Sequence, residues 1–190
     1  MEYFKKLIGD RIYLSPKSCS LEEAEKHTEW LNDFKVTDYI DNTSSLISLP
    51  LEKDWISNSI KDNSARVFNI VTLDGDKLIG TISLEQIKWV DRSAVLGIFI
   101  GDGDYLNNGY GTEAIRLLLE YGFRYLNLHV IKLELIDCNE RAHRCYLKCG
   151  FKDVGRNREM LFVNGKYHDL LHMDILEYEF DGDYIKNKVI

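Results

Sequence analysis

The segment with the most distinctive chemistry is 107–114, which reads Asn-Asn-Gly-Tyr-Gly-Thr-Glu-Ala. Its two glycines, one residue apart, let the backbone turn tightly and leave backbone N–H groups unobstructed. The segment follows an apolar run, 95–100, and opens an amphipathic one, 114–126. Because the first N–H groups of a helix have no acceptor within the helix, such a turn can bind phosphate. The order of strand, glycine turn and helix therefore predicts an anion site.

Three known motifs could account for these glycines. A P-loop requires Gly-Lys-Ser/Thr, and Gly111 is followed by Thr112 and Glu113, which excludes it. A dinucleotide fold tolerates Ala114 in place of its third glycine but normally places the motif in the first strand-helix unit, so an NAD-binding protein stays a minor alternative. A calcium loop starting at residue 102 would need glycine at its sixth position, where Asn107 stands.

A second segment, 139–151, follows an alternating strand and carries the pattern N-x-R-A-x-x-x-Y-x-K-x-G-F. Together with the G-x-G-T-E-A of the glycine turn, it resembles the two core motifs of the GNAT superfamily of acyl-CoA N-acyltransferases. The similarity covers roughly residues 65–176. It is most like the branch that contains ribosomal-protein N-terminal acetyltransferases and bacterial spermidine acetyltransferases.

The elements that must position these motifs follow from periodicity and turn signals. The resemblance implies an α+β (mixed α/β) GNAT fold, with a mostly antiparallel sheet of about seven strands, helices on both faces and a V-shaped split at the cofactor site. We expect one domain over residues 1–180 and a short tail over 181–190. The patterns predict a strand at 11–14, a capped helix from 20 to 32, a helix over 50–60, and strands at 67–73, 78–84, 93–100, 131–135, 158–163 and 167–176.

The two N-terminal helices should each bury one face against the sheet. Helical spacing predicts the inward residues Leu21, Ala24, Thr28 and Leu31 for the first helix. For the second it predicts partly inward positions at Leu51, Trp55, Ile56 and Ile60. Between them, 35–48 reads as a polar connection.

The resemblance implies an N-acetyltransferase that moves the acetyl group of acetyl-CoA onto a primary amine by direct attack in a ternary complex. The residues it assigns to acetyl-CoA belong to the strand before the glycine turn, the turn itself and the second motif. They are Ile98, Phe99, Ile100, Leu106, Asn107, Asn108, Gly109, Tyr110, Gly111, Thr112, Asn139, Tyr146 and Lys148. The sequence departs from the family at Leu106, where Gln or Arg is common, and at Val95, where glutamate is frequent.

Acetyl transfer needs a proton donor for the departing thiolate and a base for the amine. Tyr146 stands where the family has its acid. Glu85 is our candidate base, and Asp91 and Glu134 are weaker ones. We expect the histidines at 129, 143, 168 and 172 to be structural, because sequence spacing gives none of them an acidic partner.

Composition excludes several classes of protein. The formal net charge of -7 disfavours nucleic acid and mildly suits a cationic substrate. No apolar run is long enough to cross a membrane and no signal peptide is evident, so we expect a cytoplasmic protein. The four cysteines form no C-x-x-C pair, and we predict no metal; Cys145 and Cys149 should pack as small apolar groups.

The acceptor is the least determined part of the prediction. The connection 35–48 contains Asp38, Tyr39, Asp41 and Asn42, and should face the cofactor, with Trp89 covering the groove. A small-molecule amine such as a polyamine, an amino sugar or an aminoglycoside-type antibiotic, or a peptide N-terminus, all stay open. A homodimer is among the assemblies that the resemblance implies. The alternative function is a non-catalytic acetyl-CoA-binding or sensing module, which the departures at Val95 and Leu106 would permit.

Overall fold

The computed structural model describes residues 3–40 and 44–188. Within these residues the chain forms eight strands and five α-helices in a mixed α/β arrangement. In chain order they are β1 (Leu7–Ile8), β2 (Ile12–Pro16), α1 (Leu21–Leu31), α2 (Phe34–Thr37), α3 (Leu49–Lys61), β3 (Arg66–Thr72), β4 (Leu78–Lys88), β5 (Ser93–Ile100), α4 (Tyr110–Arg124), β6 (Val130–Ile136), α5 (Glu140–Lys148), β7 (Lys152–Val163) and β8 (Lys166–Leu176).

The strands form one sheet in the order β1-β2-β3-β4-β5-β6-β8-β7. Every neighbouring pair is antiparallel except β5 and β6, which run parallel. That parallel pairing joins Ser93, Ala94 and Val95 of β5 to the first residues of β6 and goes no further. Beyond it the two strands separate, which produces the V-shaped split that the sequence predicts.

Helix α4 supplies much of the core on one face of the sheet. Its sequence repeats apolar residues at helical spacing, and Ala114, Ile115, Leu117 and Leu118 are fully buried or nearly so. The helix packs on β2 and β4. Truncating a leucine at such a site typically costs about 2–5 kcal/mol, so this packing fixes where the helix start lies relative to the split.

Helices α1 and α3 lie on the opposite face, and a buried polar cluster joins them to the sheet. The ammonium of Lys17 lies 3.4 Å from Glu23 Oε1, donates to Thr81 Oγ1 at 3.1 Å and contacts the ring of His27. The ring also lies 3.2 Å from Glu52 Oε1. Burial lowers the pKa of Lys17 to about 8 and that of His27 to about 2. The imidazole is therefore neutral at physiological pH.

This cluster corrects the predicted helix faces. In α1 the buried residues are Glu23, Ala24, His27 and Trp30, whereas Leu21 is 50% exposed. The apolar pattern is right at Ala24 and wrong at Leu21, because the buried Lys17 ammonium draws a carboxylate and an imidazole inward.

Helix α3 departs from its predicted face in the same way. Its buried residues are Glu52 and Ile56, and the side chains of Leu51, Trp55 and Ile60 are exposed. The Glu52 carboxylate points inward because it pairs with the His27 ring. This orientation of α3 leaves three of its four predicted apolar positions exposed to solvent.

Replacing Glu52 by glutamine should change how stability depends on pH. Burial raises the pKa of Glu52 from 4.5 to about 7, so the folded chain holds a proton that the unfolded chain has released. The stability gained from that proton is complete below the unfolded pKa and is lost as pH rises through the folded one. Glutamine stays neutral throughout. Relative to the parent, we expect Glu52→Gln to gain about 2 kcal/mol between about pH 5 and pH 8. Urea denaturation across this range measures it, and a difference that does not vary with pH would contradict the assignment.

The remaining segments connect these layers. The polar connection contains the short helix α2, which the sequence did not predict, and Asp41 and Asn42 lie outside the described residues. The C-terminal segment packs on the domain: Ile185 is buried, its N–H donates to Glu120 Oε2, and Lys186 N–H donates to Ile8 O. No helix in the described ranges combines the length and apolar content that crossing a membrane requires.

Candidate active site

A cavity of about 550 Å³ lies where β5 and β6 separate. Its walls come from β5, the turn before α4, the end of β6, helix α5 and the region around α2. Its volume is in the range of small-molecule and cofactor sites. β5 stays paired with β4 up to Ile100 but loses β6 after Val95, so the backbone groups on the β6 side of Gly97–Ile100 face the opening.

The cavity brings together nearly all residues that the sequence assigned to acetyl-CoA. Asn108 and Tyr110 are the two that do not line it. Those that do are Ile98, Phe99, Ile100, Leu106, Asn107, Gly109, Gly111, Thr112, Asn139, Tyr146 and Lys148.

The turn before α4 has the backbone geometry of an anion site. Asn107 and Gly109 adopt left-handed conformations, with φ of 59° and 84°. Among the described residues, no side chain caps the start of α4 at Gly109. The first N–H groups of the helix, including those of Gly111 and Thr112, are therefore available to a ligand beside the cavity.

Glu113 stabilises this turn by contacts with the segment between β1 and β2. Its Oε1 accepts the backbone N–H groups of Asp10, Arg11 and Ile12 at 2.8, 2.8 and 3.2 Å. Its Oε2 pairs with the Arg11 guanidinium, which also donates to the carbonyl of Asn108 at 2.8 Å. The glutamate of the motif therefore joins the β1–β2 turn to the helix start, and sequence reasoning assigned it no role.

The two predicted contacts outside the cavity support the turn instead. The ring of Tyr110 packs edge-on against Tyr105 and lies 4.4 Å under the Arg11 guanidinium. The Asn108 amide donates to the carbonyl of Asp104. Both side chains thus point into the loop, away from the cavity.

Asn139 lies between β6 and α5 and is buried. Its Oδ1 accepts the N–H of Ala142 at 3.1 Å, so it caps α5. The cap fixes the first turn of α5 at the rim of the split. The side-chain amide nitrogen has no partner among the described residues, and it remains available to a ligand in the cavity.

Tyr146 faces the cavity from α5 with 8% of its surface exposed. Its ring packs edge-on against Phe151. This contact fixes the ring, whereas the hydroxyl has no hydrogen-bond partner within the described part of the chain. Burial, with a smaller effect from the neighbouring cysteine thiols, raises the pKa of Tyr146 well above its usual value. The phenol is therefore protonated at neutral pH and able to donate.

Basic residues surround one side of the cavity, and sequence reasoning identified only one of them. Arg141 and Arg144 join Lys148 in the lining, all three on α5. Their i, i+3, i+7 spacing places them on one side of the helix. That spacing within the motif was the sequence signal that could have identified Arg141 and Arg144 beside Lys148.

The structure does not bring Glu85 to the cavity. The residue pairs with Val95 at the closed base of the split, and its carboxylate accepts a hydrogen bond from Ser83 Oγ at 2.8 Å. Glu134 does line the cavity, and its Oε1 lies 3.3 Å from His172 Nδ1. Asp91 is exposed in the turn between β4 and β5.

Sequence spacing placed no acidic partner beside these histidines, whereas the structure places one beside each of the four. His129 lies near Glu177, His143 near Asp153, His168 near Asp137 and His172 near Glu134, with separations of 2.8 to 3.5 Å. Each pair joins residues of different elements that the fold brings together, so sequence spacing alone could not show them.

The predicted acceptor wall is only partly formed as expected. Tyr39 lines the cavity, and Asp33 and Lys35 join it. Trp89 does not cover the groove: its ring is 47% exposed and lies against the Arg66 guanidinium.

Comparison with known proteins gives consistent matches. Residues 11–152 match the family described as "Acetyltransferase (GNAT) domain". Spermidine N(1)-acetyltransferase of Escherichia coli (strain K12) is 31% identical over 161 residues, which cover 80% of this chain and 85% of that protein. YdaF of Bacillus subtilis, a proposed ribosomal N-acetyltransferase, is 33% identical over 106 residues, 56% of this chain and 57% of that protein.

Solved structures agree with these matches. The crystal structure of spermidine N-acetyltransferase from Vibrio cholerae in complex with CoA and spermine superposes with a TM-score of 0.81 at 27% identity. The match covers 88% of this chain and 96% of that one.

Proposed function

The chain belongs to the GNAT family and is an acetyl-CoA-dependent N-acetyltransferase, and from that premise we propose that its acceptor is a polyamine. The relatives named as spermidine acetyltransferases support this proposal, as does the structure that holds CoA and spermine. The observation that carries it here is the charge of the cavity. The carboxylates of Asp33 and Glu134 lie among the lining residues and can meet a cation, whereas the basic residues of the lining are Lys35 and three residues of α5.

We propose that the cofactor lies in the split with its diphosphate on the turn 106–112. The uncapped start of α4 supplies N–H donors, and Lys148 and Arg144 supply positive charge. The pantetheine arm would run between β5 and β6, pairing with backbone groups of Ile98 and Ile100 on the side where β6 no longer pairs with β5. This places the thioester near Tyr146.

In the proposed step, the neutral amine nitrogen attacks the thioester carbonyl, the new C–N bond forms and the C–S bond breaks. Tyr146 donates a hydrogen bond or proton to the departing CoA sulfur, and a base accepts the proton that the attacking nitrogen loses as the tetrahedral intermediate becomes the amide. A polyamine amine with a pKa of about 10.4 is neutral in only about one part in 2,500 at pH 7. A carboxylate in the cavity that accepts this proton therefore has a large effect on rate.

An acceptor panel tests the proposal directly. Spermidine, spermine, an aminoglycoside, an amino sugar and a peptide with a free N-terminus would each be incubated with acetyl-CoA and enzyme. We expect kcat/KM for spermidine or spermine to exceed that for the peptide by at least about 10², a difference of ~2.7 kcal/mol. Mass spectrometry of the products names the acetylated nitrogen. A peptide acetylated faster than both polyamines would overturn the proposal and favour the ribosomal type of acceptor.

We further propose Glu134, paired with His172, as the base in place of Glu85. Glu134→Gln should lower kcat about 10²-fold at pH 7, with the loss shrinking at high pH where free amine is abundant. Glu85→Gln is the matched comparison, because its carboxylate is held by Ser83 outside the cavity. The pH dependence of kcat distinguishes them: a loss confined to Glu85→Gln would restore the base predicted from sequence.

We also propose that two copies associate through β7, the edge strand of the sheet. Nearly all of β7 is exposed, including Val154, Met160 and Phe162, and Tyr167 extends this apolar surface onto β8. An exposed apolar edge strand is a template for pairing with another chain. Sedimentation velocity should show a dimer or larger species, and a monomer at all concentrations would refute the association.

A further inference from the structure

Three side chains with metal-binding atoms meet at the end of β6, beside the cavity. Asp137 and Cys138 follow the strand directly, and His168 approaches from β8. A carboxylate oxygen, a thiol sulfur and an imidazole nitrogen from these residues all lie within 4.8 Å of one another. The acetyl-transfer chemistry described above uses none of them.

The backbone holds these residues in place. Ile136 pairs with Leu170, and one residue later the N–H of Asp137 donates to the carbonyl of Asp169 at 3.1 Å. The antiparallel register therefore continues past the strand end, where it sets Cys138 opposite His168. A site formed by two paired strands needs only side-chain rotation to close on an ion.

A fourth group lies nearby. Asp38, which follows α2, has one carboxylate oxygen bonded to the Asn164 amide at 2.7 Å. Its other oxygen is buried and has no hydrogen-bond partner among the described residues. The carboxylate is close enough to Cys138 to act on its sulfur electrostatically. A buried carboxylate oxygen without a partner is costly and indicates a place for a cation.

We propose that Asp137, Cys138 and His168 form a binding site for a divalent cation of the Zn²⁺ class, with the fourth position open to water or to Asp38. Thiolate, imidazole and carboxylate are the ligands that zinc takes in tetrahedral sites. Calcium and magnesium prefer sites made of oxygen alone, so the sulfur and nitrogen select against them.

The location gives the site a consequence. Ile136, Leu170 and Asn139 line the cavity, so the ion lies at its rim. Through Asp38, it would also connect the α2 region to β6 and β8. The ion would thus add positive charge at the entrance and restrain the acceptor wall.

Isothermal titration of Zn²⁺ into the chelator-treated full chain tests the site, with Co²⁺ as the spectroscopic probe. We expect one ion per chain and a thiolate-to-cobalt charge-transfer band in the near ultraviolet. Cys138→Ser should abolish that band, and Cys138→Ser and His168→Gln should each weaken Zn²⁺ binding more than ~10-fold. Cys19→Ser and His143→Gln are matched controls, because one removes an exposed thiol and the other an imidazole paired with a carboxylate elsewhere.

The controls should bind Zn²⁺ and Co²⁺ like the parent. Absence of binding by the parent would overturn the proposal. Equal binding by Cys138→Ser, His168→Gln and the parent, or equal loss in the controls, would overturn it too, because the ion would then lie elsewhere. All four substituted side chains are at least partly exposed, so circular dichroism should show an unchanged fold.

Discussion

Replacing Tyr146 by phenylalanine should lower kcat for acetyl transfer about 10²-fold or more, while acetyl-CoA binds with nearly unchanged affinity. The substitution removes only the hydroxyl, and the ring keeps its contact with Phe151. Because burial raises the pKa of Tyr146 well above its usual value, the hydroxyl stays protonated where an ordinary phenol begins to ionise. The parent rate should therefore show no loss near pH 10 that arises from this phenol.

The measurement combines steady-state rates of CoA release with calorimetry of acetyl-CoA binding. Tyr125→Phe is the matched control, since Tyr125 is exposed at the end of α4 and stacks on Tyr121. We expect the control to keep the parent kcat. A Tyr146→Phe enzyme as fast as the parent would remove the proton-donor role.

Replacing Glu113 by alanine should destabilise the chain by about 3 kcal/mol and weaken CoA binding. Its carboxylate accepts three backbone N–H groups and pairs with Arg11, and a hydrogen bond to a charged group contributes about 1.5–3 kcal/mol. For a domain of this size the loss corresponds to a fall in Tm of about 6–12 °C. The affinity for CoA should fall as well, because Arg11 also holds the carbonyl of Asn108 in the turn.

Glu113→Gln distinguishes the loss of these hydrogen bonds and of the ion pair from a loss of packing. The amide oxygen can still accept the backbone N–H groups, so the fall in Tm should be less than half that of the alanine variant. Differential scanning calorimetry and CoA titration measure both effects. Equal Tm and equal CoA affinity for Glu113→Ala and the parent would show that the contacts of Glu113 stabilise neither the fold nor the turn.

The local motifs were the part of the structure that sequence could predict. The conformation of two glycines before a helix, and the capping of a second helix by Asn139, are determined by residues next to them in the chain. The turn at Gly109 and the cap of α5 therefore lie where the patterns place them. The alternating and turn-bounded segments likewise gave the strands on both sides of the split. The split between β5 and β6 followed from the family resemblance, and the structure adds that the two strands pair over only three residues before it.

Features that depend on distant residues could not be predicted. The apolar pattern predicts that Leu21 is buried. The ion pair between Lys17 and Glu23 instead requires the Glu23 side of α1 to face the sheet, which leaves Leu21 exposed. Glu85 looked like a base because it follows a strand near the site, and only the register with Val95 shows that it lies at the closed end. The pairing of Glu134 with His172 joins residues in different strands, which no spacing rule connects.

The central proposal is that the turn 106–112 binds the diphosphate of a CoA thioester whose arm enters the split between β5 and β6. Isothermal titration of CoA, and of 4'-phosphopantetheine and pantetheine as fragments with one phosphate and with none, tests it most directly. We expect one CoA site per chain and a pantetheine affinity at least ~10-fold lower, which is a loss of about 1.4 kcal/mol. If neither acetyl-CoA nor CoA binds at millimolar concentration, or if pantetheine binds as tightly as CoA, the account is contradicted.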